Sequence, residues 1–449
     1  MRTRTLALVL GICILGAVAQ AESTEDNWPS WRGPTGNGVA LKGNPPVTWS
    51  ETENIKWKIE LPGKGSSTPV VWGDKMFIQT AVAVGEAKPA PAPEPQPAAA
   101  PGERRRRRGP HSSPTPTQTL KFNLVCLDRN TGKILWESTA TEAIPHEGHH
   151  PTGNFAPYSP VTDGNLVWAS FGSRGLYCFD LDGNKKWGAD LVQMKKRMTF
   201  GEGSSPALVG DAIVVLQDHE GQSRIVAFNK YTGTQLWETE RQEMTNWTTP
   251  VSVQVGDTTQ IITGATTMIR SYDAKDGSLI WECKGQTLNT IPSPLLGFGN
   301  VYLTSGFRGH ALQAIKLGAT GDLTESDAIV WEIDQGTPYV ASPILYDDRI
   351  YFLADLKAVL SSYDAKTGKP YFSDVRLPGL RQIYASPVGA GGKIYIPDRD
   401  GNTIVIKHAD EFEVLATNTL DDGFDASPVV IGDNLYLKGN KYLYCIAES

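Results

Sequence analysis

The stretch GSSPALVGDAIVVLQDHEGQSRIVAFNKYTGTQLW, from Gly203 to Trp237, contains one complete structural repeat. Four short β-rich runs follow Pro206, and turns rich in Gly, Asp and Asn separate them. This pattern predicts a four-stranded antiparallel meander. Because a single sheet of about 40 residues cannot bury its own faces, the repeat predicts a stack of similar copies.

The copies are present along most of the chain. The opening proline recurs at Pro69, Pro160, Pro206, Pro250, Pro294, Pro343, Pro387 and Pro428. After the first interval, neighbouring prolines lie 41 to 49 residues apart. The fourth-strand tryptophan recurs at Trp57, Trp136, Trp187, Trp237, Trp281 and Trp331. A period of this length with four strands per unit predicts an all-β, eight-bladed β-propeller of four-stranded antiparallel blades.

The two ends of the chain are expected to meet in the last blade. The eighth unit ends after its third strand, near Ile446, so it lacks a fourth strand of its own. Ile55-Lys56-Trp57-Lys58 has the pattern of that missing strand. We therefore expect residues 54–449 to form the propeller, closed by pairing an N-terminal strand with the last blade, which removes an exposed sheet edge.

The N-terminal residues have the features of an export signal. Arginines precede an apolar run from Leu6 to Val18, and Ala19-Gln20-Ala21 is a cleavage box. We expect a signal peptide at 1–21, cleaved after Ala21, and a periplasmic or extracellular protein. A membrane anchor is the weaker alternative, because the run is shorter than the ~20 residues of a span. A lipid anchor on Cys13 is also disfavoured, because Ile12 before it is not small.

Residues 22–53 form an N-terminal extension before the first blade. Its segment NWPSWRGP, which includes Trp28 and Trp31, is aromatic and rich in turn residues. We expect this segment to fold over one end of the ring, with the two tryptophans covering apolar surface.

Charge and cysteine content restrict the class of protein. The formal net charge is −7, which does not favour binding to a polyanion. The four cysteines after the signal peptide are Cys126, Cys178, Cys283 and Cys445, and none belongs to a CxxC pair. Three of them occupy a position that Ala or Ser fills in other repeats. Free buried thiols are therefore favoured over disulfides, although export would permit bridges.

An insertion at about 84–120 interrupts the first blade. It is rich in Pro and Ala and contains five consecutive arginines, Arg104, Arg105, Arg106, Arg107 and Arg108. Such a composition buries nothing and predicts a disordered loop. The functional alternative is an electrostatic contact with an anionic polymer, a lipid headgroup or nucleic acid.

Three histidines after Trp136 are weak candidates for a metal site. The string that contains His146, Glu147, His149 and His150 satisfies the letters of the H-E-x-x-H motif, with His146 and His150 at the two ligand positions. That motif requires a helix, and the flanking prolines and Gly148 disfavour one. A polar loop is the favoured interpretation, and no metal site is predicted.

The loops that lead from one blade to the next should emerge on one face of the ring. Residues shortly before the opening prolines should surround the mouth of the central channel. They form a candidate ligand or partner face, and they are Tyr158, Trp247, Tyr339, Arg381, Tyr384 and Asp425. The alternative is that these aromatic side chains only fill the funnel by packing on each other.

The repeat resembles that of the pyrroloquinoline-quinone (PQQ) dehydrogenase-like propellers. DRNTGKILW (Asp128 to Trp136) and DAKDGSLIW (Asp273 to Trp281) carry the resemblance. It extends over about Asn54 to Ile446 apart from the insertion. The family implies an eight-bladed propeller, and it includes quinoprotein alcohol dehydrogenases as well as BamB, a scaffold without enzymatic activity.

The resemblance alone does not assign a reaction. The dehydrogenases hold PQQ between a tryptophan and a disulfide of adjacent cysteines, with a metal ion beside it. This sequence has no adjacent cysteines and no C-x-x-C-H motif for a haem. We therefore expect an exported, non-catalytic binding or assembly scaffold of the bacterial cell envelope, with an envelope protein as partner, no transmembrane span, no specific nucleic acid and no cofactor. The alternatives are a periplasmic oxidoreductase that uses PQQ with calcium or binds another small molecule, and a carbohydrate- or polymer-binding module.

Overall fold

The computed structural model describes residues 26–87 and 113–448. The predicted signal peptide, Arg104 to Arg108 and most of the insertion lie outside these residues. None of the helical turns found in the described ranges has the length and apolarity of a bilayer span.

The described residues are almost entirely β-structure. In chain order the strands are β1 (Ile55–Glu60), β2 (Val70–Trp72), β3 (Lys75–Val84), β4 (Thr119–Asp128), β5 (Ile134–Ala143), β6 (Val161–Thr162), β7 (Leu166–Ser170), β8 (Leu176–Asp180), β9 (Lys185–Ala189), β10 (Ala207–Val209), β11 (Ala212–Gln217), β12 (Ser223–Asn229), β13 (Gln235–Arg241), β14 (Val251–Val255), β15 (Thr258–Thr263), β16 (Ile269–Asp273), β17 (Leu279–Cys283), β18 (Leu295–Gly297), β19 (Asn300–Ser305), β20 (Ala311–Lys316), β21 (Gly321–Asp322), β22 (Ile329–Ile333), β23 (Ile344–Tyr346), β24 (Arg349–Leu353), β25 (Val359–Asp364), β26 (Pro370–Arg376), β27 (Val388–Ala390), β28 (Lys393–Pro397), β29 (Asn402–Lys407), β30 (Val414–Thr419), β31 (Val429–Ile431), β32 (Asn434–Lys438) and β33 (Tyr442–Ile446). Two 3-10 turns lie at Gly172–Arg174 and Arg197–Thr199.

These strands form eight antiparallel blades, as the repeats predict. Blades 1 to 7 begin at β2, β6, β10, β14, β18, β23 and β27, and blade 8 combines β31, β32 and β33 with β1. Every residue of β11 is buried, which is why the second strand of the defining repeat reads as a continuous apolar run. The core therefore lies between neighbouring blades, along their inner and middle strands.

The closure of the ring is confirmed. Strand β1 pairs antiparallel with β33, with Trp57 opposite Cys445 and Ile59 opposite Leu443. The first described strand is thus the outermost strand of the last blade. As a result, blade 8 holds the two ends of the described chain in one sheet.

Five of the six repeated tryptophans join their blade to the next, whereas Trp281 donates to Gln260 within its own blade. The Trp187 ring of blade 2 packs against Gly233 of blade 3. The contact is so close that a Cβ atom added to this glycine would lie 2.6 Å from the ring. Its indole Nε1 donates to the Lys230 carbonyl in the same turn at 3.0 Å. Trp57, Trp136, Trp237 and Trp331 make the same pair of contacts with the following blade. The D-x-x-x-G turn therefore carries a glycine because an indole ring packs directly on it.

Blade 4 departs from the four-stranded prediction. The short strand β21 comes from the connection between β20 and β22 of blade 5, and it pairs parallel with β17. Blade 5 lacks the D-x-x-x-G turn, and its longer connection reaches back to cover the outer edge of blade 4. This addition leaves the eightfold arrangement unchanged.

The extension before β1 enters the axial channel from one end. Trp28 exchanges two backbone hydrogen bonds with Val71, at 2.9 and 2.8 Å. The Arg32 guanidinium donates to the carbonyls of Pro343 and Pro387, which open blades 6 and 7. The segment thereby spans the channel between the first blade and blades 6 and 7.

Candidate functional site

A continuous circle of hydrogen bonds surrounds the channel where the blades begin. In each blade, the residue before the opening proline donates its backbone N–H to the hydroxyl of the equivalent residue in the next blade. The eight distances lie between 2.9 and 3.2 Å. We call this set the hydroxyl ring, and its members are Thr68, Ser159, Ser205, Thr249, Ser293, Ser342, Ser386 and Ser427.

A cavity of about 500 Å³ opens above the hydroxyl ring, and we call it the mouth cavity. The third residue before the opening proline lines it in all eight blades, and these residues are Ser66, Pro157, Gly203, Trp247, Ile291, Val340, Tyr384 and Asp425. Phe200, Phe307 and Tyr339 add further aromatic surface. Because this volume is in the ~300–1,000 Å³ range of ligand pockets, the cavity can accept a small molecule or a protruding side chain.

Trp31 forms the floor of the mouth cavity. The same side chain also borders a second cavity, of about 290 Å³, between the N-terminal segment and blades 2 to 5. Its indole Nε1 donates to Ser427 Oγ at 3.3 Å. The N-terminal segment therefore divides the axial channel into two chambers and is part of the site.

Four of the six residues of the predicted face line the mouth cavity, namely Trp247, Tyr339, Tyr384 and Asp425. Tyr158 and Arg381 do not. Tyr158 is 1% exposed and donates its hydroxyl to Glu202 Oε2 at 2.7 Å. The Arg381 side chain is 81% exposed and lies 3.9 Å from the Asp400 carboxylate. Tyr158 precedes its proline by two residues, whereas the position that lines the cavity in all eight blades precedes it by three.

The two carboxylates that line the cavity are already neutralised. Asp425 Oδ1 accepts from Arg399 Nε at 2.6 Å. Glu202 pairs with Arg174 at 3.1 Å and accepts further hydrogen bonds from Tyr158 and Ser173. Burial acts to raise the pKa of Glu202, but the Arg174 charge and these donors outweigh it and hold that pKa below its ordinary value.

Cations lie behind two of the aromatic walls. Arg399 stacks over the Tyr384 ring at 4.4 Å, and Lys196 Nζ lies 5.2 Å from the centre of the Trp247 ring. Lys196 is buried and donates to the carbonyls of Asp218 and Asn246 at 2.7 and 2.9 Å. Burial lowers the pKa of this lysine to about 8.

The histidine string is a loop, and its imidazoles make separate contacts. His146 Nε2 bonds the Met194 carbonyl, and His149 Nδ1 bonds the His150 carbonyl, both at 2.7 Å. His150 lines the mouth cavity and bonds Thr152 Oγ1. In the part of the chain that the structure describes, no group of three His, Cys, Asp or Glu side chains is arranged to hold a metal ion.

The end of the insertion returns to this loop. Ser113 and His149 exchange two hydrogen bonds, one from the Ser113 backbone N–H at 2.6 Å and one to its hydroxyl at 2.9 Å. Because His150, Thr152 and Gly153 border the mouth cavity, the insertion rejoins the blade beside that cavity.

The residues of the mouth cavity do not fit the PQQ arrangement of the dehydrogenases. Cys126, Cys178, Cys283 and Cys445 are free and buried in strands, and none of them lines the cavity. The available carboxylates, Glu202 and Asp425, are each held by an arginine, so their oxygens are engaged by donors and not presented together to a cation.

Several residues of the site escaped sequence reasoning. The hydroxyl ring corresponds to the Ser or Thr that precedes each opening proline, a regularity that marks the repeat but does not by itself indicate a position at the channel mouth. Glu202, Phe200 and Phe307 gave no such signal, because they lie outside the repeated positions. Trp31 was expected to cover apolar surface, and its place on the axis required the three-dimensional path of the N-terminal segment.

Comparison with known proteins agrees with this architecture. The sequence profile of the family described as outer membrane protein assembly factor BamB matches residues 121–291 and 222–449. Outer membrane protein assembly factor BamB of Burkholderia pseudomallei is 25% identical over 326 residues, which cover 69% of this chain and 75% of that protein.

Two solved structures share the fold. BamB from Moraxella catarrhalis has a TM-score of 0.55 at 14% identity, covering 87% of this chain and 96% of that chain. A quinohemoprotein alcohol dehydrogenase from Pseudomonas putida HK5 has a TM-score of 0.58 at 9% identity, covering 94% and 80%. At such identities the likeness extends to the fold alone. Because the family profile matches well over half of the sequence, the chain belongs to the β-propeller family described as outer membrane protein assembly factor BamB.

Proposed function

We propose that this protein is an exported, non-catalytic scaffold of the bacterial cell envelope, and that it binds a protein partner through the face that carries the mouth cavity. The observation that supports this most is the character of the cavity. Its walls are aromatic, while its two carboxylates are neutralised by arginines. Such a site buries apolar surface well and leaves no carboxylate free as a general base.

Family membership supports the same proposal. The relatives are named as assembly factors for outer membrane proteins. An assembly factor needs a surface for other proteins, and aromatic and arginine side chains are the types that contribute most to such surfaces. Tyr384 in the cavity and the exposed Arg381 three residues before it provide both types on one loop.

The proposal can be tested by crosslinking and pull-down from envelope extracts. The variants are Tyr384→Ala and Arg381→Glu, and Tyr231→Ala is the matched control. Tyr231 is 56% exposed in the outer turn of blade 3, away from the residues of the mouth cavity. We expect the first two variants to lose a partner that the wild type and the control retain. A partner captured equally by all four proteins would place the interface elsewhere.

A second assay addresses the oxidoreductase alternative. Purified protein is incubated with PQQ, calcium and an artificial electron acceptor, together with a set of alcohols and aldoses. We expect no reduction of the acceptor, because no cysteine lines the cavity and both of its carboxylates are held by arginines. Turnover with any of these substrates would contradict the proposed function.

A further inference from the structure

Part of the hydroxyl ring has hydrogen-bond donors to spare. Five of its members line the mouth cavity, and they are Thr68, Ser159, Ser205, Ser386 and Ser427. Each hydroxyl oxygen accepts a backbone N–H from the preceding blade. Among the described residues, none of these five hydroxyls donates to a protein acceptor. Because a hydroxyl carries one donor as well as two acceptor lone pairs, five O–H groups remain available around the cavity.

Three buried cations lie close to lining residues of the mouth cavity, in sequence or in space, and one of them, Arg32, itself borders the second cavity. Arg32 follows the floor residue Trp31, Lys196 lies behind Trp247, and Lys438 donates to the carbonyl of Gly65, which precedes the lining residue Ser66. Their exposures are 6%, 4% and 4%. Within the described ranges none of the three forms an ion pair with a carboxylate; their hydrogen-bond partners are backbone carbonyls.

These cations are held at a cost that an anion would relieve. Burial lowers the pKa of Arg32 to about 9 and that of Lys438 to about 8. Buried charges are normally compensated by a nearby opposite charge. Glu202 and Asp218 offset part of this cost at Lys196, and Asp422 and Asp425 offset part of it at Lys438, but burial outweighs them and both pKa values stay lowered. For Arg32, burial alone lowers the pKa.

The aromatic walls of the mouth cavity determine which chemical group can bind there in addition to an anion. Trp247, Phe307, Tyr339 and Tyr384 offer an apolar surface, and the faces of Trp247 and Tyr384 already contact a cation of the protein. A second cation is therefore disfavoured at these rings, whereas an aromatic or branched aliphatic group can pack on their exposed surface.

We propose that the mouth cavity binds a ligand with a carboxylate at one end and an aromatic or branched aliphatic group at the other. The carboxylate accepts from the hydroxyl ring near the buried cations, and the apolar group packs against the aromatic walls. A free organic acid and the C-terminal residue of a peptide share this chemistry. The inference rests on the proposed function only in assigning this face to binding.

The test is calorimetric titration of the purified protein with two matched pairs of probes. The first pair is 3-phenylpropionate and 3-phenylpropanamide. The second is an octapeptide ending in phenylalanine, with a free or an amidated C-terminus. We expect at least one acid to bind about tenfold or more tightly than its amide, because hydrogen bonds to a charged group are the stronger ones. Binding of the free acid alone identifies a small-molecule site, and binding of the peptide acid identifies a site for a chain terminus.

Two lysine variants test whether the buried positive charge contributes to acid binding. Lys438→Met should weaken acid binding to the level of the amide, while Lys407→Met, which changes a lysine whose side chain is 52% exposed, should leave it unchanged. Equal affinity for acid and amide, or binding of neither acid, overturns the inference. If Lys438→Met does not fold, the acid–amide comparison in the wild type decides alone. If no acid binds but Tyr384→Ala still loses its partner, this inference fails and the proposed function stands.

Discussion

The backbone N–H of Ser427 donates to Thr68 Oγ1 at 3.1 Å, and this bond joins the last blade to the first. It has the same form as the seven other bonds of the hydroxyl ring, so the ring has no seam at the channel mouth. The pairing of β1 with β33 completes blade 8 at its outer edge. The propeller is thus closed twice, once by side-chain hydroxyls beside the axis and once by main-chain pairing.

Removing one hydroxyl of the ring should destabilise the fold. Ser427 Oγ accepts from the backbone N–H of Ser386 and from Trp31 Nε1. Ser427→Ala leaves buried donors without an acceptor, which costs about 1–3 kcal/mol of unfolding free energy. Thermal or urea unfolding measures this, with Ser278→Ala, at an exposed turn position, as the control. Equal stability of the two variants would show that the ring is dispensable.

The packing of indole rings on turn glycines predicts a contrast between two Gly→Ala substitutions. Gly233 and Gly210 both have positive φ, +73° and +58°, but only Gly233 faces a tryptophan ring. Gly210→Ala should cost about 1–2 kcal/mol through backbone strain alone. Gly233→Ala should cost about 1–3 kcal/mol more, because the new methyl group displaces Trp187. Matched urea titrations give the difference, and equal losses would exclude the steric contribution.

Deletion of residues 50–60 should abolish cooperative unfolding and lower solubility. The deletion removes β1 and leaves β33 as an exposed edge, which is a template for pairing with other chains. Differential scanning calorimetry and size-exclusion chromatography are the measurements. An unchanged melting curve for a monodisperse deletion variant would contradict the closure.

Buried Lys438 should make stability depend on pH in a defined direction. Its pKa is lowered from 10.5 to about 8 in the folded protein. Between these values the unfolded chain binds the proton more tightly, so this lysine lets stability rise with pH. Below about pH 8 the burial penalty is fully present, and above 10.5 it is absent. From pH 8 to 9.5 the free energy of unfolding of the wild type should rise relative to that of Lys438→Met, by up to about 1.4 kcal/mol per pH unit. A difference between the two proteins that does not change with pH would oppose this.

The four described cysteines should be unreactive in the native protein. Burial raises the pKa of Cys126 and Cys178 to about 12 and that of Cys283 and Cys445 to about 11. Because the thiolate is the reactive species, a disulfide reagent such as DTNB should label none of them at pH 8 before denaturant is added. The sequence favoured free buried thiols at these positions, and the structure confirms it. Rapid labelling in native buffer would indicate local opening of the blades.

The sequence predicted the fold well because the fold is repetitive. Every blade opens with the same proline, and six of the eight carry the tryptophan, so the repeated patterns support one another. The strand near Trp57 could therefore be assigned to a blade that lacked its fourth strand. The site was harder to predict, because it is formed where the repeats differ. Trp247, Tyr384 and Asp425 occupy one equivalent position in three blades, whereas Tyr158 lies one residue away and is buried beside Glu202. Sequence spacing alone did not distinguish the third residue before each proline, which lines the cavity, from the second.

The shared construction of blade 8 also governs when the molecule can assemble. Strand β1 is synthesised before all the other described strands, but its neighbour in the sheet, β33, is synthesised after them. Until β33 is available, the growing polypeptide is an open arc in which β1 has no strand to pair with. A product truncated before Tyr442 therefore cannot reach the native ring, so blade 8 cannot form while the chain is still being synthesised up to that residue.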